Sequence, residues 1–136
     1  MVLPFRSSGR GSGGDDLATR EIKHYMRQLD IEHLLDRVAG CLDRDVTWSW
    51  YDVLSPGEMQ RVAIVRLLYH KPLLAVLDEA TSALSLDMER TIYDELRKLN
   101  ITYVTCGHRE SLKDYHNRVL TLSGDGHWSL FNDAEN

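Results

Sequence analysis

A mixed α/β fold built on a parallel sheet is predicted by three features of this sequence. Leu73 to Leu77 is an unbroken apolar run between Pro72 and the acids Asp78 and Glu79, the pattern of a short strand buried on both faces. Leu86 to Leu99 sets Met88, Ile92, Leu96 and Leu99 on one face at helical spacing and leaves Glu89, Arg90, Glu95 and Arg97 elsewhere. Ile101 to Thr105 is rich in β-branched and aromatic residues. Strand, helix and strand in that order call for a right-handed crossover and a parallel pairing.

Composition narrows what such a fold can do. The 136 residues are 43% hydrophobic and 27% charged, ordinary values for one small globular domain or part of one. A formal net charge of -5 and a pI near 5.6 argue against a general nucleic-acid surface, which needs clustered Lys and Arg to replace phosphate counterions. Cys41 and Cys106 have no Cys or His neighbour at metal-ligand spacing and read as reduced, structural thiols. No apolar stretch approaches the roughly 20 residues of a membrane-spanning helix, and Met1 to Arg10 lacks the apolar centre of a secretory signal.

From the beginning of the chain, Met1 to Gly14 is rich in Gly, Ser and Arg and reads as a disordered tail. Its Gly9 to Gly14 stretch has neither a strand before it nor the Gly-Lys-Ser or Gly-Lys-Thr ending of a phosphate loop. A helix is expected from Asp15, carried by Leu17, Ile22, Tyr25, Met26 and Leu29 with acids in its first turn. Ile31, Leu34, Leu35 and Val38 suggest a second short helix ending at Gly40. Cys41 to Val53 reads as an irregular connection that Trp48, Trp50 and Tyr51 anchor to this helical layer.

Ser55 opens the clearest helix of the sequence. It is a good N-cap, Pro56 suits the first helical position, and Glu58 three residues on completes a capping box. Gly57 in the first turn costs helix propensity and leaves backbone N–H groups open to a ligand, so the same features fit a phosphate site. The helix should run to about His70 and be buried over most of its length. Ser123-Gly124-Asp125-Gly126, between the apolar stretches Arg118 to Leu122 and Trp128 to Phe131, predicts a closing β-hairpin.

The chemistry gathers where the two strands end. Ligands bind at the carboxyl end of open α/β sheets, where an acid such as Asp78 can hold a divalent cation through its water shell while Glu79 positions a water. His108 falls just past the second strand, on the same edge. Taken alone, Asp78 and Glu79 serve equally well as solvated residues that end a core strand.

Five motifs stand in order: Leu54-Ser55-Pro56-Gly57-Glu58, the apolar strand, Asp78-Glu79, Ser82-Ala83-Leu84 and His108. Together they resemble the C-terminal part of an ATP-binding cassette nucleotide-binding domain. Trp50-Tyr51-Asp52-Val53, Gly107-His108-Arg109 with Ser111-Leu112 and His116, and Gly124-Asp125-Gly126 with Trp128 look like subfamily D, the peroxisomal and lysosomal half-transporters. Pro56, Glu58-Met59 and Gly107 are most similar to its lysosomal cobalamin-transporter branch. The resemblance spans about Asp15 to Phe131, and Met1 to Gly14 has no counterpart in it.

The resemblance implies a P-loop NTPase-type parallel sheet, incomplete because its Walker A half is absent. It implies a tail over 1–14, a small helical subdomain with the signature helix over 15–71, and the hydrolytic half of the ATPase core over 72–136. Ser55, Gly57 and Glu58 would face the γ-phosphate of an ATP held on an opposite subunit. Asp78 would serve Mg²⁺ through water, Glu79 would orient or deprotonate the attacking water, and His108 would sense the γ-phosphate. Ala83 and its neighbours would form the subunit-crossing D-loop, with Ser85 where most cassettes carry Asp. The implied partners are a second nucleotide-binding domain and the transmembrane domain of a half-transporter, on the cytosolic face of a peroxisomal or lysosomal membrane. No Gly-Lys-Ser or Gly-Lys-Thr loop occurs, nor a Q-loop glutamine, since Gln28 falls in a helix. A non-catalytic subunit that lends its signature face to a complete cassette is the alternative.

Overall fold

The computed structural model describes residues 17–38 and 49–132. The expected tail, Asp15, Asp16, Gly40, Cys41 and Trp48 lie outside them. Helix α1 (Leu17–Gln28) buries Ile22, Tyr25 and Met26, and the short α2 (Leu34–Arg37) adds Leu34 and Leu35. The connection ends in one more helical turn, α3 (Trp50–Val53), rather than staying irregular. Its Trp50 is buried and Tyr51 exposed, so of these two rings the indole is the anchor.

Helix α4 (Pro56–His70) begins at Ser55 with the full capping box and stops where Lys71 turns left-handed, with its N–H donating to the Leu67 carbonyl. Strand β1 (Leu74–Asp78) and strand β2 (Thr102–Cys106) pair in parallel, from Leu74 opposite Thr102 to Asp78 opposite Cys106. Helix α5 (Leu86–Lys98) crosses between them. It ends before Asn100, a left-handed residue that redirects the chain into β2. A 3-10 helix (Glu110–Tyr115), absent from the sequence expectation, precedes the antiparallel hairpin of β3 (Arg118–Leu122) and β4 (Trp128–Asn132).

One hydrophobic cluster joins α1, α2, α4, α5 and the inner face of β1, with Leu29, Ile31, Leu68, Ile92, Tyr93 and Leu96 fully enclosed. Burial of β1 on both faces does not hold. Ala75 and Leu77 point into the cluster, whereas Leu74 and Val76 are exposed, Val76 at 70%. Helices α4 and α5 contribute to the cluster on one side only, and among the described residues no element covers the other. The second correction concerns α4, of which only Ile64, Val65 and Leu68 are buried; Ala63 is exposed and Val62 and Leu67 are partly covered. Cys106 is a free, exposed thiol rather than a packed structural one.

Candidate functional site

The start of α4 is held by local bonds. The Ser55 hydroxyl accepts from the Glu58 N–H at 3.3 Å and donates to Glu58 Oε2 at 2.7 Å, while the Ser55 N–H donates to the same oxygen at 2.8 Å. His33, brought from α2's N-terminal edge, places Nε2 at 2.8 Å from Glu58 Oε1. The His33 contact first, and the two Ser55 donors next, lower the Glu58 carboxyl to about 2. A fixed carboxylate therefore sits in the first turn of α4, where the helix dipole favours it.

Gly57 has a packing role beside the open N–H groups. A Cβ built there would lie 3.3 Å from the Ala83 carbonyl oxygen and 3.6 Å from a Leu84 methyl, so the missing side chain lets α4 rest on the backbone after β1. One turn on, Gln60 grips the same backbone. Its amide nitrogen donates to the Glu79 carbonyl at 2.8 Å and Ser82 Oγ at 2.9 Å, and its oxygen accepts from the Ala83 N–H at 3.0 Å. Arg61 reaches the other way, to the Gly57, Leu29 and Asp30 carbonyls, and fastens α4 to the end of α1.

Glu79 continues the β1–β2 ladder by one bond, its N–H donating to the Cys106 carbonyl at 3.0 Å, but its φ is 47°. A left-handed non-glycine residue costs about 1–2 kcal/mol. Here its carbonyl accepts from the Ser82 N–H and hydroxyl as well as from Gln60, which holds the turn in place. The turn swings the Glu79 carboxylate to the strand-end edge, where Oε1 lies 3.5 Å from His108 Nε2. The His108 side chain is 98% exposed. Asp78, exposed and in register with Cys106, shares the edge. Thus Asp78, Glu79 and His108 come together at the carboxyl end of the parallel pair. Ser55, Gly57 and Glu58 lie at the start of α4, which meets the Ser82–Leu84 segment through Gly57 and Gln60.

Next to this edge is a buried polar cluster built on Glu89, which the residue pattern placed off the apolar face of α5. Glu89 of α5 is fully enclosed. Its Oε2 accepts from Thr81 Oγ1 at 2.8 Å and lies 3.4 Å from Arg109 Nη1, and its Oε1 accepts from Ser111 Oγ at 2.6 Å. Arg109 Nη2 donates to the Ser82 and Leu84 carbonyls at 2.8 and 2.9 Å. The signal was present: Glu89 precedes Ile92 and Leu96 by three and seven positions and so lies on the buried stripe of α5. Gln60 likewise lies four residues before buried Ile64.

The segment after His108 is pinned from below by rings. Tyr115 stacks on Tyr93 with centroids 4.4 Å apart and planes 7° from parallel, and the Tyr103 hydroxyl donates to the Tyr115 carbonyl at 2.6 Å. His116 Nδ1 donates to the Leu112 carbonyl and Nε2 meets Thr105 Oγ1 at 2.8 Å.

Comparison with known proteins agrees with this geometry. A family described as ABC transporter matches residues 7–82, more than half of the chain. The match begins inside the stretch before Asp15, so the likeness extends further upstream than the motifs alone placed it. The chain is 42% identical over 130 residues to the lysosomal cobalamin transporter ABCD4 of Homo sapiens, covering 96% of this chain and 21% of that one. It is 42% identical over 125 residues to ATP-binding cassette sub-family D member 3 of Homo sapiens, covering 92% and 18%. Among solved structures, a bacterial Atm1-family ABC exporter with ATP bound superposes with a TM-score of 0.61 at 30% identity, over 81% of this chain and 19% of that one. The chain spans about a fifth of the length of the curated relatives it matches. Among the described residues no helix is long and apolar enough to cross a membrane. The fold is that of a P-loop NTPase-type nucleotide-binding domain, and the chain belongs to the ABC transporter family, with sub-family D as the branch it resembles.

Proposed function

We propose that this chain forms the signature and hydrolytic part of a nucleotide-binding domain in a half-transporter, coupling ATP binding and hydrolysis to transport across an organelle membrane from its cytosolic face. The observation that carries the reading is the strand-end edge, where the Glu79 carboxylate and the His108 ring meet at 3.5 Å beside Asp78. Hard carboxylate oxygens at an exposed edge suit Mg²⁺. Asp78 would hold it through water, and the ion would supply neutralisation of phosphate charge. Glu79 orients or deprotonates a water, and His108 donates a hydrogen bond where the γ-phosphate would lie.

Across the Ser82–Leu84 segment, Ser55 and Gly57 offer the start of α4 to a nucleotide on a second nucleotide-binding domain. For the Ser55 hydroxyl to donate to that phosphate it must leave Glu58 Oε2, which its own N–H continues to hold. Ala83 and its neighbours form the segment that crosses between subunits. A transmembrane domain is the partner through which this work reaches transport.

A second reading starts from the exposed start of α4, where Ser55 can serve a nucleotide held by another subunit. In that reading the chain lends Ser55 and Gly57 to a complete cassette and regulates it without catalysis of its own. Phosphate release from an assembly of this chain with a complete cassette separates the two. Ser55→Arg puts bulk and a cation at the start of α4 and abolishes the chain's effect on turnover in either reading; an unchanged effect rejects both. Glu79→Gln lowers turnover by about two orders of magnitude if this chain hydrolyses, the scale of a lost general base. No change from Glu79→Gln leaves the regulatory reading.

A further inference from the structure

The Ser82–Leu84 segment has no regular structure, and its position is set by side chains from α4 and from the loop after β2. From α4, Gln60 holds the Ala83 N–H, the Ser82 hydroxyl and the Glu79 carbonyl. From the loop after β2, Arg109 holds the Ser82 and Leu84 carbonyls. Arg109 is the residue next to His108. Its guanidinium is fixed in turn by Glu89, a carboxylate with 0% exposure whose other partners are Thr81, just before the segment, and Ser111, just after His108.

A fully enclosed carboxylate is costly unless every partner is in place. Glu89 is satisfied only when the loop after β1 supplies Thr81 and the stretch after β2 supplies Arg109 and, from the 3-10 helix, Ser111. Partial arrangements leave buried charge, so the two loops favour being docked together or released together. Of the side chains in this group, that of Arg109 also grips the Ser82–Leu84 backbone, which is otherwise tied to the group by the Leu84 N–H on the Thr81 carbonyl. Its planar fork serves two carbonyls and a carboxylate at once, which a lysine ammonium on a flexible stem does not reproduce.

We propose that Arg109 is a positioning residue that links Ser82–Leu84 to His108, so that a displacement imposed on that segment from α4 is felt at His108. The geometric link stands on the hydrogen bonds above, and its consequence for turnover rests on the nucleotide-binding reading.

Amide hydrogen exchange followed by mass spectrometry on the dilute chain tests the link without nucleotide. Gln60→Ala releases the segment from α4. The link predicts that exchange rises about fivefold in peptides covering 81–85 and also in those covering 107–112. In the Arg109→Lys background the same change still loosens 81–85, but its increment at 107–112 falls below about twofold. Ser111→Ala, which removes one bond to Glu89 and leaves Arg109 in place, preserves the transmitted increment. Transmission that survives Arg109→Lys overturns the proposal, and so does equal loss in Ser111→Ala, which marks a general packing effect.

Should Arg109→Lys lose protection throughout the chain, the pair Glu89→Gln with Arg109→Met removes both charges together, and the same two outcomes apply to it. Kinetics with a complete cassette add the functional arm. Arg109→Lys lowers kcat for phosphate release about tenfold and leaves KM for ATP within about twofold, as expected for lost positioning rather than lost binding. Lost transmission with unchanged kcat rejects the nucleotide reading and keeps the link. Retained transmission rejects the link whatever the kinetics.

Discussion

The start of α4 and the loop after β1 lie against each other, yet they are held in opposite ways. Ser55 and Glu58 satisfy one another across three residues, with His33 as the one distant contributor. The loop after β1 has local bonds from Ser82 to Glu79 and from the Leu84 N–H to the Thr81 carbonyl, but the bonds that place it on the rest of the fold are distant in sequence. Its bonds run to Gln60, Glu89, Arg109 and, through the ladder, Cys106. A local cap forms wherever its four residues occur, whereas the loop exists only when α4, α5 and the loop after β2 are all docked. The first region is a property of a peptide, and the second is a property of the fold.

That contrast predicts unequal sensitivity to substitution, and the largest effect belongs to the buried cluster. Arg109→Met leaves the Glu89 carboxylate enclosed without its cation and should cost about 3–5 kcal/mol. The urea midpoint of the chain measures it. Adding Glu89→Gln to Arg109→Met removes the stranded charge and should restore a large part of that loss. If the double variant is no more stable than Arg109→Met alone, the charge is not what the cluster balances, and the loop is held by packing instead.

The smaller effect belongs to the cap. Ser55→Ala removes the hydroxyl that serves the Glu58 N–H but leaves the backbone N–H of residue 55 on Glu58 Oε2. A loss of about 1 kcal/mol is expected, the usual scale for a missing N-cap side chain. Urea midpoints for Ser55→Ala and Arg109→Met in the same buffer compare the two regions directly. Equal losses would remove the distinction between them.

The same division explains what could be read from residues alone. Ser55 with Glu58, the Ile92–Leu96 stripe, the strand–helix–strand order and the Ser123–Gly126 turn all have short-range signatures, and the structure has each of them. The outer face of β1 was misjudged because an apolar run says that a strand could be covered on both sides, not that it is. Glu89 was placed off the apolar face of α5, although its spacing from Ile92 and Leu96 put it on the buried stripe. Nothing local marks Arg109 as the partner it needs, since those residues are twenty positions apart and meet only after β2 has paired with β1. The 3-10 helix escaped for the same reason: its Tyr115 has meaning only once stacked on Tyr93. At the proposed site, the approach of Glu79 to His108 follows from parallel pairing, but the left-handed turn that aims the Glu79 side chain is set by Gln60 and Ser82.

The finest test of the contrast uses pH, because the cap contains the carboxylate with the strongest downward shift among the described residues. Its ordinary value is 4.5, and His33 and Ser55 bring it to about 2 in the folded chain. A carboxyl whose folded value is depressed binds its proton more readily when unfolded, so it stabilises the fold in full above pH 4.5. That contribution is lost as pH falls from 4.5 through about 2. Melting curves of the chain and of Glu58→Gln, recorded together from pH 6 to pH 2, follow it, since the titrating groups that do not touch residue 58 are common to both. The stability advantage of Glu58 over Gln should be flat above pH 4.5 and shrink steadily below it. His33→Ala removes the largest single cause of the shift and should move the start of that decline toward the ordinary value while leaving the Ser55 contacts in place. An advantage that does not change with pH would mean that Glu58 acts at the start of α4 through its shape and hydrogen bonds alone, and that its charge is immaterial to the cap.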